Sequence, residues 1–396
     1  MSRPTLPLPG RAALGPFAFL AAAAAAAAAA LGACGDNLAG PPSEAGMPPD
    51  GRPGGPRAVI AAGTFTPGES GLLSTLAFDP FKVAPRVDPS GAIGSDPMIR
   101  RIGGELLVVN RADGNNVTIL DDQTFIAKVQ LATGPGSNPQ DVAVYADKLF
   151  VPAFGTAGVV VLSRTSIGDR EVIDLSAIDP DGEPNCVSAY TVGDEIYVAC
   201  EVLDPSYKPR GPGQIVVLDA ASNAVKTTFS LASTNPFGVF EQLPAGVLGG
   251  DLVIPTVPSF GDFSEGCLER VQTSPSPRPN GCVVANRDLG AYPARTDVQL
   301  RDGTPILWLI ASSFDTAPHG RLMGYDLAAG TLWPAPISPD AQVLVDLAVC
   351  PNGLIVVADQ TTAANGLRVY DGLTEKTTAA LPVGLRPGSS HGLACY

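Results

Sequence analysis

Residues 105–145 read ELLVVNRADGNNVTILDDQTFIAKVQLATGPGSNPQDVAVY. The first six, Glu105–Asn110, form a short apolar strand. Arg111–Asn116 (RADGNN) is rich in Gly, Asp and Asn, which tolerate the positive φ of tight turns. Val117–Asp121 (VTILD) and Ala127–Leu131 (AKVQL) are a second and a third strand, and Asp141–Tyr145 (DVAVY) follows Asn138-Pro139-Gln140 as a fourth. The unit recurs. Strands of the ELLVVN type begin at Arg57, Glu105, Lys148, Glu195, Asp251, Ile306 and Gly353, 43 to 56 residues apart. Seven copies of a four-strand unit at that period predict an all-β chain, a seven-bladed β-propeller with one four-stranded antiparallel blade per repeat.

The second strands align as LSTLAFD, VVVLS, IVVLD, LMGYD and LRVYD, ending at Asp79, Ser163, Asp219, Asp326 and Asp371. An Asp there can accept hydrogen bonds from the backbone of the next turn, a structural role. Pro97, Pro139, Pro184, Pro236 and Pro293 each mark a joint before an innermost strand, where a missing N–H does no harm. The chain ends in HGLACY (His391–Tyr396), which matches an innermost strand and nothing more, while the unit from Arg57 lacks one. The C-terminal strand is therefore expected to complete the first blade and close the ring, leaving only short edges.

With joints such as SNPQDVAVYADKLFV and strands such as NNVTILD, the stretch from Ala58 to Tyr396 resembles the YVTN-type β-propeller repeat proteins of bacteria. The match is best in units two, three, four and seven, and the fifth is distorted by an insertion. The resemblance implies a seven-bladed ring, often in exported proteins of diverse function. It carries no chemistry of its own.

Residues 1–33 read as a signal rather than as fold. Arg3 and Arg11 give a positive start and Phe17–Leu31 is an alanine-dominated apolar run. It ends in Leu31-Gly32-Ala33-Cys34, which resembles the bacterial lipoprotein signal cleaved before a diacylated cysteine. An ordinary secretory signal or a retained span is the alternative, against which stand the weak hydropathy of alanine and the shortness of the run. Gly35 after the cysteine favours the outer membrane, facing the periplasm or the cell surface. Residues 34–57 would be the lipidated Cys34 and a Pro/Gly-rich tether, and residues 58–396 the propeller.

The chain holds 39 acidic and 25 basic residues; without Arg3 and Arg11 the bases number 23 and the net charge is −16. Such a balance argues against nucleic acid and against attraction to anionic lipid, so the membrane partner is reached through Cys34 alone. A monomer is expected. Setting Cys34 aside leaves six cysteines, an even number suited to an oxidising compartment. The blade register pairs Cys186 with Cys200 across a hairpin, Cys267 with Cys282 around the irregular segment LERVQTSPSPRPNG, and Cys350 with Cys395 across the ring closure. Free buried thiols are the alternative.

In an alternating blade the joint before the innermost strand and the loop between the second and third strands leave on one face. Both long insertions, Asp204–Gly213 and Ser259–Gly281, are of the latter kind, so one face carries the elaborated loops. At its mouth Gln140, Asp141, Asn185, Arg295 and His391 form a mixed polar ring suited to a small polar ligand or a cation. Turn-forming residues satisfied by backbone and water would look the same. His319 and His391 are the only histidines and show no metal-ligand spacing, so no cofactor is expected beyond calcium, which needs oxygen ligands alone. Asp113-Gly114-Asn115 is too short for a calcium loop. Gly388–Gly392 (GSSHG) matches GxSxG, but no helix and no later histidine follow, so no catalytic residue is assigned. The leading expectation is a cell-envelope lipoprotein binding or scaffolding a protein, peptide or glycan without catalysis. The alternative is a propeller enzyme: a calcium-dependent lactonase-like hydrolase using Asp141, Asn185 and Asp346, or a quinone-dependent dehydrogenase, for which Trp308 and Trp333 in a single blade give little support.

Overall fold

The computed structural model describes residues 57–313, 319–388 and 391–396. The signal-like segment, Cys34 and the tether to residue 56 lie outside the described residues, and Arg57 is the first residue of a strand. The described residues form seven four-stranded antiparallel sheets. Blade two is β4 (Pro97–Ile102), β5 (Glu105–Asn110), β6 (Asn116–Asp121) and β7 (Ala127–Ala132). Blade three is β8 (Ala143–Tyr145), β9 (Lys148–Pro152), β10 (Gly158–Ser163) and β11 (Arg170–Asp174). Blade four is β12 (Cys186–Val192), β13 (Glu195–Cys200), β14 (Pro212–Asp219) and β15 (Val225–Thr234). Blade five is β16 (Glu241–Gln242), β17 (Leu252–Pro255), β18 (Cys267–Gln272) and β19 (Arg278–Ala285). Blade six is β20 (Tyr292–Arg301), β21 (Thr304–Ser312), β22 (Gly320–Asp326) and β23 (Thr331–Leu332), and blade seven is β24 (Leu344–Val349), β25 (Ile355–Asp359), β26 (Gly366–Asp371) and β27 (Thr374–Glu375). Blade one joins the two ends of the chain: β28 (Leu393–Cys395) lies beside β1 (Arg57–Ala62), followed by β2 (Leu72–Phe78) and β3 (Phe81–Pro85).

Closure rests on the pairs Ala58↔Cys395, Val59↔Ala394 and Ile60↔Leu393. The apolar core is divided in the same way, into seven buried clusters, each between two neighbouring blades. The cluster at the closure sets Ala58, Ile60, Leu76 and Leu393 against Ala348, Val356, Ala358 and Leu367, so the seam between the ends of the chain is packed like the rest. Each fully buried aliphatic side chain there contributes about 1.5–3 kcal/mol relative to exposure.

Turn chemistry accounts for Asp121, Asp219 and Asp326 at strand ends, whereas Asp371 pairs with Arg301 and Lys376. Asp121 Oδ1 accepts the N–H groups of Gln123 (3.1 Å) and Thr124 (2.9 Å), and Asp326 Oδ1 those of Ala328 (2.9 Å) and Ala329 (2.8 Å). Disulfides join Cys186 to Cys200, Cys267 to Cys282 and Cys350 to Cys395. Three such bonds fit an oxidising, extracytoplasmic compartment. No helix among the described residues is long and apolar enough to cross a membrane.

The fifth blade departs from the sequence reading. The segment LERVQTSPSPRPNG is not irregular: it lies within the hairpin of β18 and β19, with Cys267 opposite Ala285 and Glu269 opposite Cys282. Leu268 and Val271 are fully buried while the Pro/Ser-rich middle is the exposed turn. Alternating burial on a bulged, proline-containing outer strand hid the pattern. The insertion proper is confined to residues 256–266, between β17 and β18.

Candidate functional site

Strand direction fixes the two faces of the ring. The connections between second and third strands and the joints between blades emerge together, and the long segments 201–211 and 256–266 are both on that side. This is the loop face. Beneath it β4, β16, β20 and β24 bring Arg100, Glu241, Arg295 and Asp346 together around the axis, and β12 adds the hydroxyl of Ser188.

Two networks hold the axis. In the first, Arg100 on β4 grips Asp141 with Nε–Oδ1 at 2.8 Å and Nη2–Oδ2 at 2.9 Å. Asp141 also accepts hydrogen bonds from Ser188 Oγ (2.8 Å) and from the N–H groups of Val142 (2.8 Å) and Ala189 (3.1 Å). Ser188 Oγ in turn accepts the N–H of Phe240 at 2.8 Å. In the second, Arg295 on β20 pairs with Glu241 and with Asp346, the latter at 3.1 Å. Asp346 accepts the N–H groups of Leu347 (2.9 Å), Gly392 (2.7 Å) and Leu393 (2.9 Å).

These contacts expose a repeated device. Asp141, Asp297 and Asp346 each accept the N–H of the next residue, Val142, Val298 or Leu347, and one or two N–H groups from the inner strand of the following blade. The carboxylate is a clamp between neighbouring blades. Its sequence signature is Asp-Val or Asp-Leu, in QDVAVY, TDVQL and VDLAV. Burial and then Glu241 push the Asp297 carboxyl up to about 6, while Arg295 and the two N–H groups pull the other way.

The five residues expected at the mouth are thus distributed over different tasks. Asp141 and Arg295 lie in the axial networks. Gln140 turns its amide onto Asn138, donating to its carbonyl (3.0 Å) and its Oδ1 (2.8 Å). Asn185, at φ 52°, accepts the N–H of Leu203 at Oδ1 (3.1 Å). His391 is buried at φ 78°, and its carbonyl accepts the N–H of Ile99. Its ring reaches towards blade five, where a methyl on Gly238 would lie 3.9 Å from the His391 Cε1. The segment around Gly238 fills the axis in turn, for Val239 packs on Met98 and Val142 of blades two and three.

What the sequence reading missed is aromatic. Phe237 in the fourth joint, Phe260 in the 256–266 insertion and Tyr292 at the start of β20 meet edge to face, with centroids 5.0 Å (Phe237–Phe260), 6.1 Å (Phe237–Tyr292) and 5.9 Å (Phe260–Tyr292) apart. Phe263 lies 6.4 Å from Tyr292. Tyr292 is buried, and the three phenylalanines are half-buried. The string SFGDF in an otherwise polar insertion was the signal. A second pair, Phe154 and Tyr207, stacks at 6.3 Å between the loops of blades three and four. By contrast, the groove of about 340 Å³ bounded by Val247, Leu248, Leu300 and Leu327 lies on the opposite face, away from these groups.

No protein-family model matches the chain, and no curated protein matches it. Solved structures do. A protein from Lactobacillus plantarum is 14% identical with a TM-score of 0.54, the match covering 86% of this chain and 99% of that one. The dihydro-heme d1 dehydrogenase NirN in complex with DHE is 15% identical with a TM-score of 0.52, over 86% of this chain and 67% of that one. Apo AztD from Citrobacter koseri is 12% identical with a TM-score of 0.47, over 86% and 98%. At such identities the likeness is one of fold, and the fold is a seven-bladed β-propeller.

Proposed function

We propose that the protein is a lipoprotein of the cell envelope, anchored through Cys34, whose propeller binds a peptide or glycan on its loop face without catalysis. The observation that carries this reading is the aromatic cluster of Phe237, Phe260, Phe263 and Tyr292, built partly from the insertion that distinguishes blade five. Rings held edge to face present rigid apolar area at little entropic cost, suited to sugar C–H faces and peptide side chains. The carboxylates a hydrolase would need at the axis, Asp141 and Asp346, have their oxygens taken by arginines and backbone N–H groups, which favours binding over hydrolysis. Arrays of envelope glycan fragments and of peptides, probed with the purified protein, test the proposal. Retention of a defined class, weakened about tenfold by Phe260→Ala with Phe263→Ala at unchanged melting temperature, is expected. Failure to retain either class refutes it.

A further inference from the structure

We propose that Glu201 is the charge-reading residue of the loop face and that its ligand presents an alkylammonium group. This rests on the reading of the loop face as a binding surface and adds the chemistry of what is bound.

Among the described residues, eight acids are buried. Asp122, Asp141, Asp179, Asp251, Asp346 and Asp359 each have an arginine within 3.3 Å. Glu269 accepts two backbone N–H groups, from Ala232 and Ser233. Glu201 is the exception. It is 4% exposed and no hydrogen bond or ion pair reaches its carboxyl. A carboxylate taken out of water without a partner costs several kcal/mol, and burial alone holds this one well above the usual carboxylate range. Its oxygens are not among the fully enclosed polar atoms that lack partners, so they keep a small contact with solvent.

Its position is built rather than incidental. Glu201 follows Cys200, which the disulfide to Cys186 ties to the innermost strand, and its N–H donates to the Asn185 carbonyl at 3.1 Å. It continues the row of Tyr197 and Ala199, the side of β13 that packs towards blade five. It also opens the 201–211 loop, which carries Tyr207 of the Phe154–Tyr207 stack. A rigid, unpaired carboxyl at the base of an aromatic-bearing loop lacks only a counter-charge. An alkylammonium supplies three donors and an apolar stem. A metal ion fits less well, since the described residues hold no group of three or more acidic, His or Cys side chains able to share it.

Calorimetry of the purified protein with n-butylammonium, N-acetyl-lysine methylamide and glucosamine, against n-butanol and N-acetylglucosamine as neutral counterparts, decides the point. Binding of the ammonium probes, at least tenfold tighter than that of their neutral counterparts and lost in Glu201→Gln, is expected. Because the substitution removes a buried ionisable group, the variant should melt no lower than the wild type, which separates lost recognition from lost folding. The lysine and glucosamine arms distinguish a peptide from an amino sugar as the source. Equal binding by the Glu201→Gln variant, or no binding of any ammonium probe by the wild type, overturns the inference. If the array ligand is still retained by Glu201→Gln, this inference falls while the binding-module reading stands.

Discussion

Replacing Asp141 by Asn separates scaffold from ligand contact at the propeller axis. The wild-type carboxylate is fully buried, grips Arg100 through two bonds and accepts three further hydrogen bonds. Asn keeps the shape but removes the charge, and its amide nitrogen must face a donor. Stranding a buried partner typically costs about 3–5 kcal/mol. The lower end applies here, because the Arg100 side chain stays 15% exposed and Glu241 also bears on it. A loss of about 3 kcal/mol corresponds to a urea midpoint lowered by roughly 1 M for a slope of about 3 kcal/mol per M. Adding Arg100→Met removes the stranded charge and should recover half or more of the loss. Gln140→Ala one residue earlier deletes only bonds to Asn138, so about 1 kcal/mol or less is expected. Equilibrium denaturation followed by near-ultraviolet circular dichroism measures all three. An Asp141→Asn midpoint within 0.3 M or so of wild type would refute the clamp.

Three further outcomes follow from the same structure. Because burial raises Asp297 in the folded protein to about 6, the native state keeps a proton that the unfolded chain releases between about pH 4 and 6. Its contribution therefore makes stability rise as pH falls from 7 to 5, by about 1 kcal/mol; thermal melts should show this and Asp297→Asn should flatten it, whereas an unchanged slope in the variant contradicts the assignment. Deleting His391–Tyr396 strips β28 from β1, removes Leu393 from the closing cluster, breaks Cys350–Cys395 and takes two donors from Asp346; a melting temperature lower by roughly 10 °C or more is expected, and a loss of only a degree or two would mean that the tail does not close the ring. Cys34→Ser should leave the precursor unprocessed or release the protein to the soluble fraction, and unchanged membrane fractionation with normal lipid labelling would argue against the anchor.

The fold was legible because it repeats. Seven strand–turn units, the orphan strand HGLACY and the unit from Arg57 that lacks one determine blade number and closure without any knowledge of contacts. The cysteine pairing was legible for the same reason, since register puts Cys186 opposite Cys200 and Cys395 on the strand that closes the ring. The axial chemistry was legible only as composition. Asp141 and Arg295 were visible as polar residues near the axis, but a one-dimensional pattern does not show that Arg100, 41 positions from Asp141, is its partner. Nor does it show that Phe240, in another blade, hands its N–H to Ser188. Such partners are set by ring geometry, which brings residues together that sequence separates by whole blades.

The same contrast indicates where function is written in this chain. Residues that repeat one task, such as Asp141 and Asp346 at matching positions and Asp297 two residues further along its inner strand, serve the repeat: each does the same job at a different seam, and a seam is needed seven times. A ligand is bound once, so its contacts belong among the departures from the repeat. Phe260 and Phe263 stand in an insertion that no other blade has in that form. Glu201 stands where Arg111 occurs in blade two and Gln360 in blade seven, immediately after the second strand, and both of those have partners: Arg111 pairs with Asp96, and Gln360 donates to the Pro387 carbonyl. Glu201 alone of the three is left without one. Folding supplies no reason to keep a buried, unpaired carboxyl at a position where other side chains are satisfied, since replacing it by a neutral isostere would relieve the desolvation cost. Its unpaired state is accounted for if the missing partner arrives with the ligand.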